Sequence, residues 1–281
     1  MGLKSRLSFW LKRQKQKMKN RSFKSFGEHA YAVVAETNFG LMICDNQDSG
    51  VSRQLLKWGD YNPNETKKLL EFIEPNSNVL VVGAHIGSVV IPLSKKAAEI
   101  KAIEANPRNF SFLKSNVALN SIQNTETYNF AATERECLLE FLMSKENSGG
   151  SKIKPISHNT NFYYDKPECV NVEGFALDEV FDPEFDLVLM DIEGSEYSAI
   201  KGAKKIINNS RVFIVEFIPD HVLNVAGVSI ESFANLLLEF DFSRVIFPRS
   251  GVEGRPADVL LSQMLKLNEF GEYEDGLIFT K

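Results

Sequence analysis

The stretch from Val79 to Asn106, VLVVGAHIGSVVIPLSKKAAEIKAIEAN, constrains the fold more than any other part of the 281-residue chain. Val79 to Val82 are four consecutive apolar residues, the pattern of a strand buried on both faces of a parallel sheet rather than one with a wet side. Gly83 and Gly87 bracket the turn that follows, where backbone N–H groups can approach a ligand closely. A helix-length segment and a second short apolar run come next. They end at Glu104, 21 positions after Gly83, where a carboxylate at the tip of the second strand would meet the hydroxyls of a bound ribose.

The spacing inside the turn bears on which ligand. A dinucleotide fingerprint reads G-x-G-x-x-G, with a middle glycine that lets pyrophosphate approach the backbone. Here the turn reads G-A-H-I-G, with bulky residues inside. A nucleoside without pyrophosphate fits better, and S-adenosylmethionine (SAM) is such a ligand. A dinucleotide and a purely structural α/β turn are the remaining readings.

A second constellation closes the segment FDLVLMDIEGSEYSAIKGA, Phe185 to Ala203, where an apolar strand runs into Asp191, Glu193 and Glu196. Carboxylates at a strand end are costly unless hydrated, paired or used. Glu193 and Glu196 also suit the N-terminus of the following helix. Asp191 is the leading base or acceptor-orienting residue. Glu216, ending the strand VFIVEF, and His158, in a polar loop, are further catalytic candidates, their alternatives being an ion pair and an exposed loop residue. Tyr61 and Glu65, ahead of the first core strand, either cap the pocket or start and pack a helix. No ligand spacing calls for a metal.

Along the chain, Ala30 to Ala35 and Leu41 to Cys44 read as a hairpin, and Pro63 to Ile73 as a helix with Asn62 at its N-cap. From Val79, strands and helices alternate: Lys101–Glu104, Pro107–Leu119, Glu126–Ala131, Phe185–Met190, Tyr197–Ile207 and Val212–Phe217. Ile230–Phe240, Arg244–Phe247, a helix near Leu260–Leu267, and Leu277–Thr280 follow. Three units are expected: a basic head at 1–27, a hairpin-and-helix extension at 28–75, and a cofactor-binding domain at 76–281. The last is interrupted at about 136–176 by a β-rich insertion with a mobile loop, whose place at the strand ends suits substrate selection.

The net charge of −5 hides an asymmetry. Residues 1–27 carry nine Lys or Arg and no acid, which leaves 23 basic against 37 acidic residues elsewhere, a net −14. An acidic body argues against nucleic acid as a partner of the main domain. Within the head, Leu3, Leu7, Trp10 and Leu11 recur at helical spacing among basic residues. The segment is either a peripheral membrane contact or a solvated tail. Cys44, Cys137 and Cys169 are far apart and odd in number, so no disulfide framework is suggested. With no signal-peptide pattern, the expected location is the cytoplasm, at the membrane if the head binds lipid.

Taken in order, VVGAHIG, IEANPRNFSFLKSNVALN, ALDEVF, MDIEGSEYSAIKGA and VEF resemble the FkbM family of SAM-dependent methyltransferases, from about Tyr61 to about Phe217. The resemblance implies the class I methyltransferase fold: a Rossmann-like α/β domain with a seven-stranded, mostly parallel sheet and an antiparallel C-terminal strand. It implies SAM contacts at Gly83, Ala84 and Gly87, ribose contacts at Glu104, adenine neighbours at Ala131 and Ala132, and an active-site floor around Asp191. The implied reaction is O-methylation of a hydroxyl on a sugar, glycan or secondary metabolite. Two positions depart from the family's D-x-G-A-N-x-G: Val81 replaces the Asp, and His85 replaces the Asn. His85 is a candidate replacement contact for SAM. Loss of the carboxylate keeps open a SAM-binding or scaffold protein without turnover.

Overall fold

A computed structural model describes residues 29–157 and 160–281. The basic head and His158 lie outside the described residues. The main sheet is assembled around Val79–Val82, as the apolar run requires. Val79 and Val81 join one apolar layer, whereas Leu80 and Val82 join the other. A strand clad on both faces has no polar side to alternate with.

The strands in chain order are β1 (Ala32–Thr37), β2 (Gly40–Asp45), β3 (Asn78–Val82), β4 (Glu99–Ile103), β5 (Thr125–Tyr128), β6 (Ala131–Ala132), β7 (Cys137–Met143), β8 (Lys152–Ile153), β9 (Glu168–Phe175), β10 (Leu187–Met190), β11 (Val212–Phe217), β12 (Arg244–Phe247), β13 (Val252–Gly254) and β14 (Glu274–Thr280). The large sheet runs β13-β12-β14-β11-β10-β3-β4-β5. Pairing is parallel from β11 through β10, β3 and β4 to β5, while β14 lies antiparallel to both β11 and β12. Strand order reverses between β3 and β10, and in an open α/β sheet ligands bind in the crevice at the carboxyl ends of the strands beside such a switch point.

The large sheet has eight strands rather than the expected seven. The chain turns back after Phe247, with Gly251 in the left-handed region at φ 72° and its N–H on the Phe247 carbonyl, so that β13 pairs with β12. The expected third strand stops at Tyr128. The Asn129 side chain takes the carbonyls of Glu104 and Ala105, and Ala131–Ala132 pairs instead with β9 in a separate sheet, β6-β9-β7-β8. That sheet contains the insertion. The expected helix Tyr197–Ile207 is broken into Glu196–Lys201 and Lys204–Asn209, because the backbone at Gly202 passes so close to the Thr133 carbonyl that a β-carbon would sit 2.0 Å from it.

The N-terminal hairpin β1–β2 packs on the helix Pro107–Leu119. Asn106 caps that helix by accepting from the backbone N–H groups of Arg108 and Asn109, as the Asn-Pro start predicts. A further helix, Val51–Trp58, which the sequence did not announce, lies between hairpin and core. Asp48 organises its start, accepting from the N–H groups of Gly50 and Ser52. Among the described residues no helix is long and apolar enough to cross a membrane.

Candidate functional site

Two strand-to-helix turns meet at the switch point. After β3, Gly83 (φ 93°), His85 (φ 51°) and Gly87 (φ 93°) take left-handed conformations; after β10, Glu193 (φ 57°) and Gly194 (φ 103°) do the same. A β-carbon on Gly83 would fall 1.8 Å from the Asp191 carbonyl oxygen, so only glycine lets the turns touch. Histidine, like asparagine, is enriched among non-glycine residues at positive φ, which explains how His85 replaces the family's Asn without breaking the turn.

The cleft above these turns is lined by Tyr61, Gly83, Ala84, His85, Glu104, Ala131, Ala132, Asp191 and Glu193, and by Phe130, Phe141 and Ile153 on its apolar side. Most of the residues expected from the sequence thus line one cleft. Gly87 is outside the wall: its α-carbon faces the helix Pro107–Leu119, where a β-carbon would stand 3.2 Å from the Leu113 side chain, so it serves packing. Glu65 lines a neighbouring cavity with Lys68, Arg249 and Asp275. Glu196 turns back into its own loop and accepts the Ile192 N–H at 2.9 Å. Glu216, expected as a catalytic candidate, does not line the cleft and lies 3.7 Å from His221 Nδ1.

Glu104 is the best-defined polar group of the cleft. It is buried, and its two oxygens accept one backbone N–H each, from His85 and from Asn106, both at 2.8 Å. Burial outweighs those bonds and pushes its carboxyl up to about 7. The Asn109 side chain adds a third bond, and a carboxylate with about four acceptor positions still keeps one for a further donor. Beside it Asn109, 2% exposed, gives its amide N–H to the Ser148 carbonyl and leaves its Oδ1 without a partner. An acceptor-rich wall opposite an apolar slot fits a nucleoside, with hydroxyls on Glu104 and a base among Phe130, Ala131, Ala132 and Ile153. Val81 offers nothing polar to it, being buried in the apolar layer with Val79, Ala102 and Leu189.

The insertion closes one side of the cleft. Ser148 Oγ is 2.7 Å from His85 Nε2, the Ser148 N–H reaches Asp48, and Ser151 Oγ accepts from Asn106 Nδ2. These contacts tie residues 148–151 to both the β3 turn and the Val51–Trp58 helix. Asp48, Asn109, Ser148 and Ser151 were not signalled by sequence, because their partnerships span 39 to 100 positions.

At the other end carboxylates accumulate. The Asp191 side chain opens onto the cleft, yet it sits among protein and beside Glu193 and Glu196, and its carboxyl is held well above the ordinary range, burial being the larger cause. Burial likewise raises Glu216, with Asp191 and Glu193 adding to it. Burial and the facing Asp191 also raise the Tyr61 phenol. Lys152, from β8, donates to Glu193 Oε2 and to His221 Nε2, each at 3.1 Å. An ammonium only donates, so His221 Nε2 accepts and the ring proton resides on Nδ1, which lies 3.7 Å from Glu216 Oε2. Burial, then the Lys152 charge, lower His221 to about 4, keeping it neutral. Neither Lys152 nor His221 was singled out from sequence. The only signal was a histidine in the turn directly after the strand ending in Glu216.

A family model described as "Methyltransferase FkbM domain" matches residues 82–244. Two curated relatives are named tRNA (guanine(37)-N(1))-methyltransferase. The one from Plasmodium vivax is 27% identical over 108 residues, covering 38% of this chain and 16% of the relative. The one from Phytophthora infestans is 28% identical over 90 residues, covering 32% and 21%. The chain thus spans about a fifth or less of those relatives. Among solved structures, an FkbM methyltransferase from Methylobacillus flagellatus superposes with TM-score 0.43 at 16% identity, covering 74% of this chain and 44% of that one. Trm5b from Pyrococcus abyssi gives 0.47 at 14% identity, covering 90% and 57%.

Proposed function

The chain belongs to the FkbM family of SAM-dependent methyltransferases, and from that premise we propose that it transfers a methyl group from SAM to a hydroxyl oxygen of a sugar, glycan or secondary metabolite. The observation that carries the reading is the junction of Gly83 with Asp191, beside buried Glu104, at the switch point of the sheet. Glu104 and Asn109 would hold the ribose side, Ala131 and Ala132 the base, and the β3 turn with Tyr61 the amino-acid arm. SAM, when bound, supplies an electrophilic methyl carbon on a sulfonium.

The chain's own residues do the rest. Asp191 opens onto the cleft; its carboxyl is raised in the empty site, and in the ionised form favoured by a cationic sulfonium nearby it accepts a hydrogen bond from the acceptor hydroxyl and takes its proton as the oxygen gives up charge. Tyr61 and the Ser148–Ser151 segment screen the cleft from water and hold the reactants in contact geometry. His158 remains a candidate base from the insertion.

The relatives' names raise a tRNA base as a second acceptor class. Outside residues 1–27 the chain carries 23 basic against 37 acidic residues, and the described residues lining the cleft include no Lys or Arg to meet a phosphate, which favours a neutral hydroxyl compound over a phosphate backbone.

Calorimetric titration with SAM and S-adenosylhomocysteine, with NAD as control, tests the cofactor. Binding of the first two and not the third is expected. Tritium transfer from labelled SAM to hydroxylated acceptors, against a tRNA transcript, then tests the acceptor. Asp191→Asn should keep SAM binding and lose transfer. Folded protein that ignores SAM would sink the reading, and binding without transfer to any acceptor would leave a scaffold that lost turnover with the carboxylate that Val81 replaces.

A further inference from the structure

Glu193, Glu216 and His221 bring one ligand atom each to within 4.8 Å of one another, the donor set of a divalent-cation site with two carboxylates and an imidazole. The position such an ion would take is held by the chain itself. The Lys152 ammonium contacts two of the three groups at 3.1 Å, its side chain is 9% exposed, and its Nζ lies 5.1 Å from the centre of the Phe162 ring.

We propose that Lys152 is a built-in counter-ion standing where Glu193 and His221, with Glu216 beside them, would otherwise present ligand atoms to a divalent cation. Three observations converge on this. The distances are those of ammonium hydrogen bonds, close to 3 Å, and not the roughly 2.0–2.2 Å of divalent metal bonds to N and O. His221 Nε2 and Glu193 Oε2 stand 3.6 Å apart, near enough to share one small ion if the ammonium were withdrawn. Glu193 is held at φ 57°, a conformation that costs a non-glycine residue energy and persists here with its carboxylate anchored by Lys152.

Lys152 is then a positioning residue. It neutralises Glu193, fixes the His221 tautomer and, through that ring, aims a proton at Glu216, all without an external cation. Its delivery by β8 gives the insertion a chemical role: the segment carries the charge that allows strand-end carboxylates to sit beside Asp191. This role is separate from methyl transfer, since it is read out by metal binding alone.

The test is Mn2+ binding, followed by loss of the free-ion EPR signal and by thermal unfolding with and without Mn2+. Wild-type protein should neither bind nor be stabilised. Lys152→Ala should unfold at lower temperature, bind Mn2+ at least about tenfold more tightly than wild type, and recover melting temperature when the ion is added. Lys152→Arg, which keeps the charge, should gain no affinity, and Glu216→Gln added to Lys152→Ala should abolish the gain. Far-ultraviolet circular dichroism of each variant reports an intact fold. Wild-type binding of Mn2+ that Glu216→Gln abolishes would overturn the proposal, as would a folded Lys152→Ala that ignores the ion. Should Lys152→Ala fail to fold, Lys152→Met, which fills much of the same volume without the charge, replaces it in the titration, and a folded Lys152→Met that gains no Mn2+ affinity would overturn the proposal.

Discussion

Glu104 is a single side chain that belongs both to the fold and to the candidate cleft. Its oxygens are bonded to the N–H groups of His85 and Asn106, so the same carboxylate that shapes the β3 turn presents its spare acceptor position to the cleft. A carboxylate only accepts, whereas its protonated form must spend one oxygen on a donor. Because burial raises Glu104 to about 7, SAM affinity should strengthen as pH rises from 6 to 8. Glu104→Gln should weaken binding by about 10- to 100-fold at pH 8, the worth of one hydrogen bond to a charged acceptor, and flatten the pH dependence. Calorimetry across that range checks both, and unaltered affinity in the variant would remove Glu104 from the ribose site. Glu104 was legible in the sequence because its distance from Gly83 reflects chain geometry within one βαβ unit. Lys152 and His221 were not, since nothing local to either residue announces a partner 41 or 69 positions away.

Among elements, the join between the hairpin and the helix Pro107–Leu119 is built by two asparagines. Asn116 accepts from the Ile43 N–H and donates to the Ile43 carbonyl, and Asn120 does the same at Leu41. Helix positions four apart are separated by about 6 Å along the axis, and strand positions two apart by about 6.6 Å. The two spacings nearly match, so the helix edge stands in for a neighbouring strand and satisfies the free edge of β2. Asn116 is fully buried and also bonds the Ile86 carbonyl in the β3 turn. Asn116→Ala should therefore cost about 2 kcal/mol in urea unfolding, leaving the buried Ile86 carbonyl and two part-buried groups of Ile43 unpaired, and Asn120→Ala about 1 kcal/mol, since water can replace it. Equal losses would show that burial of these groups is not what matters. The hairpin and the Pro107–Leu119 helix were both legible, one from its β runs and the other from Asn106-Pro107. Their join was not, because an asparagine four residues from another on a helix reads as a solvated face until the strand opposite is placed. The helix break at Gly202 escaped for a like reason, its cause being a carbonyl at Thr133 that no local pattern contains.

At the scale of the molecule, the site is a concentration of carboxyl groups that would rather be protonated. Glu104 and Glu196 are each raised to about 7, and Asp191 and Glu216 lie well above their ordinary values, with burial the leading cause in every case. In the unfolded chain these groups titrate near pH 4 to 4.5. Between that range and their folded values the native state holds more protons than the unfolded state, so their contribution to stability is complete at low pH and is lost as pH rises through about 7. His221 works the other way: lowered to about 4, it withdraws stability as pH falls below 6.5, but it is one group against four. The acidic body, less charged at low pH, pulls in the same direction as the four carboxyls. Ligand-free protein should consequently be more stable at pH 5.5 than at pH 7.5, by about 1–3 kcal/mol carried by Glu104, Glu196 and Glu216, because the Asp191 side chain is exposed and solvent screens its share, the reverse of ordinary acid sensitivity. Urea unfolding across that interval measures the slope. A stability that stays flat or climbs toward pH 7.5 would mean that the carboxyls ionise freely in the folded state, and the tension between a charged cleft and a stable fold would not exist. If the slope is as expected, SAM should reverse it, because hydroxyl donors and a cationic sulfonium favour ionised carboxylates and add stability where the empty cleft loses it.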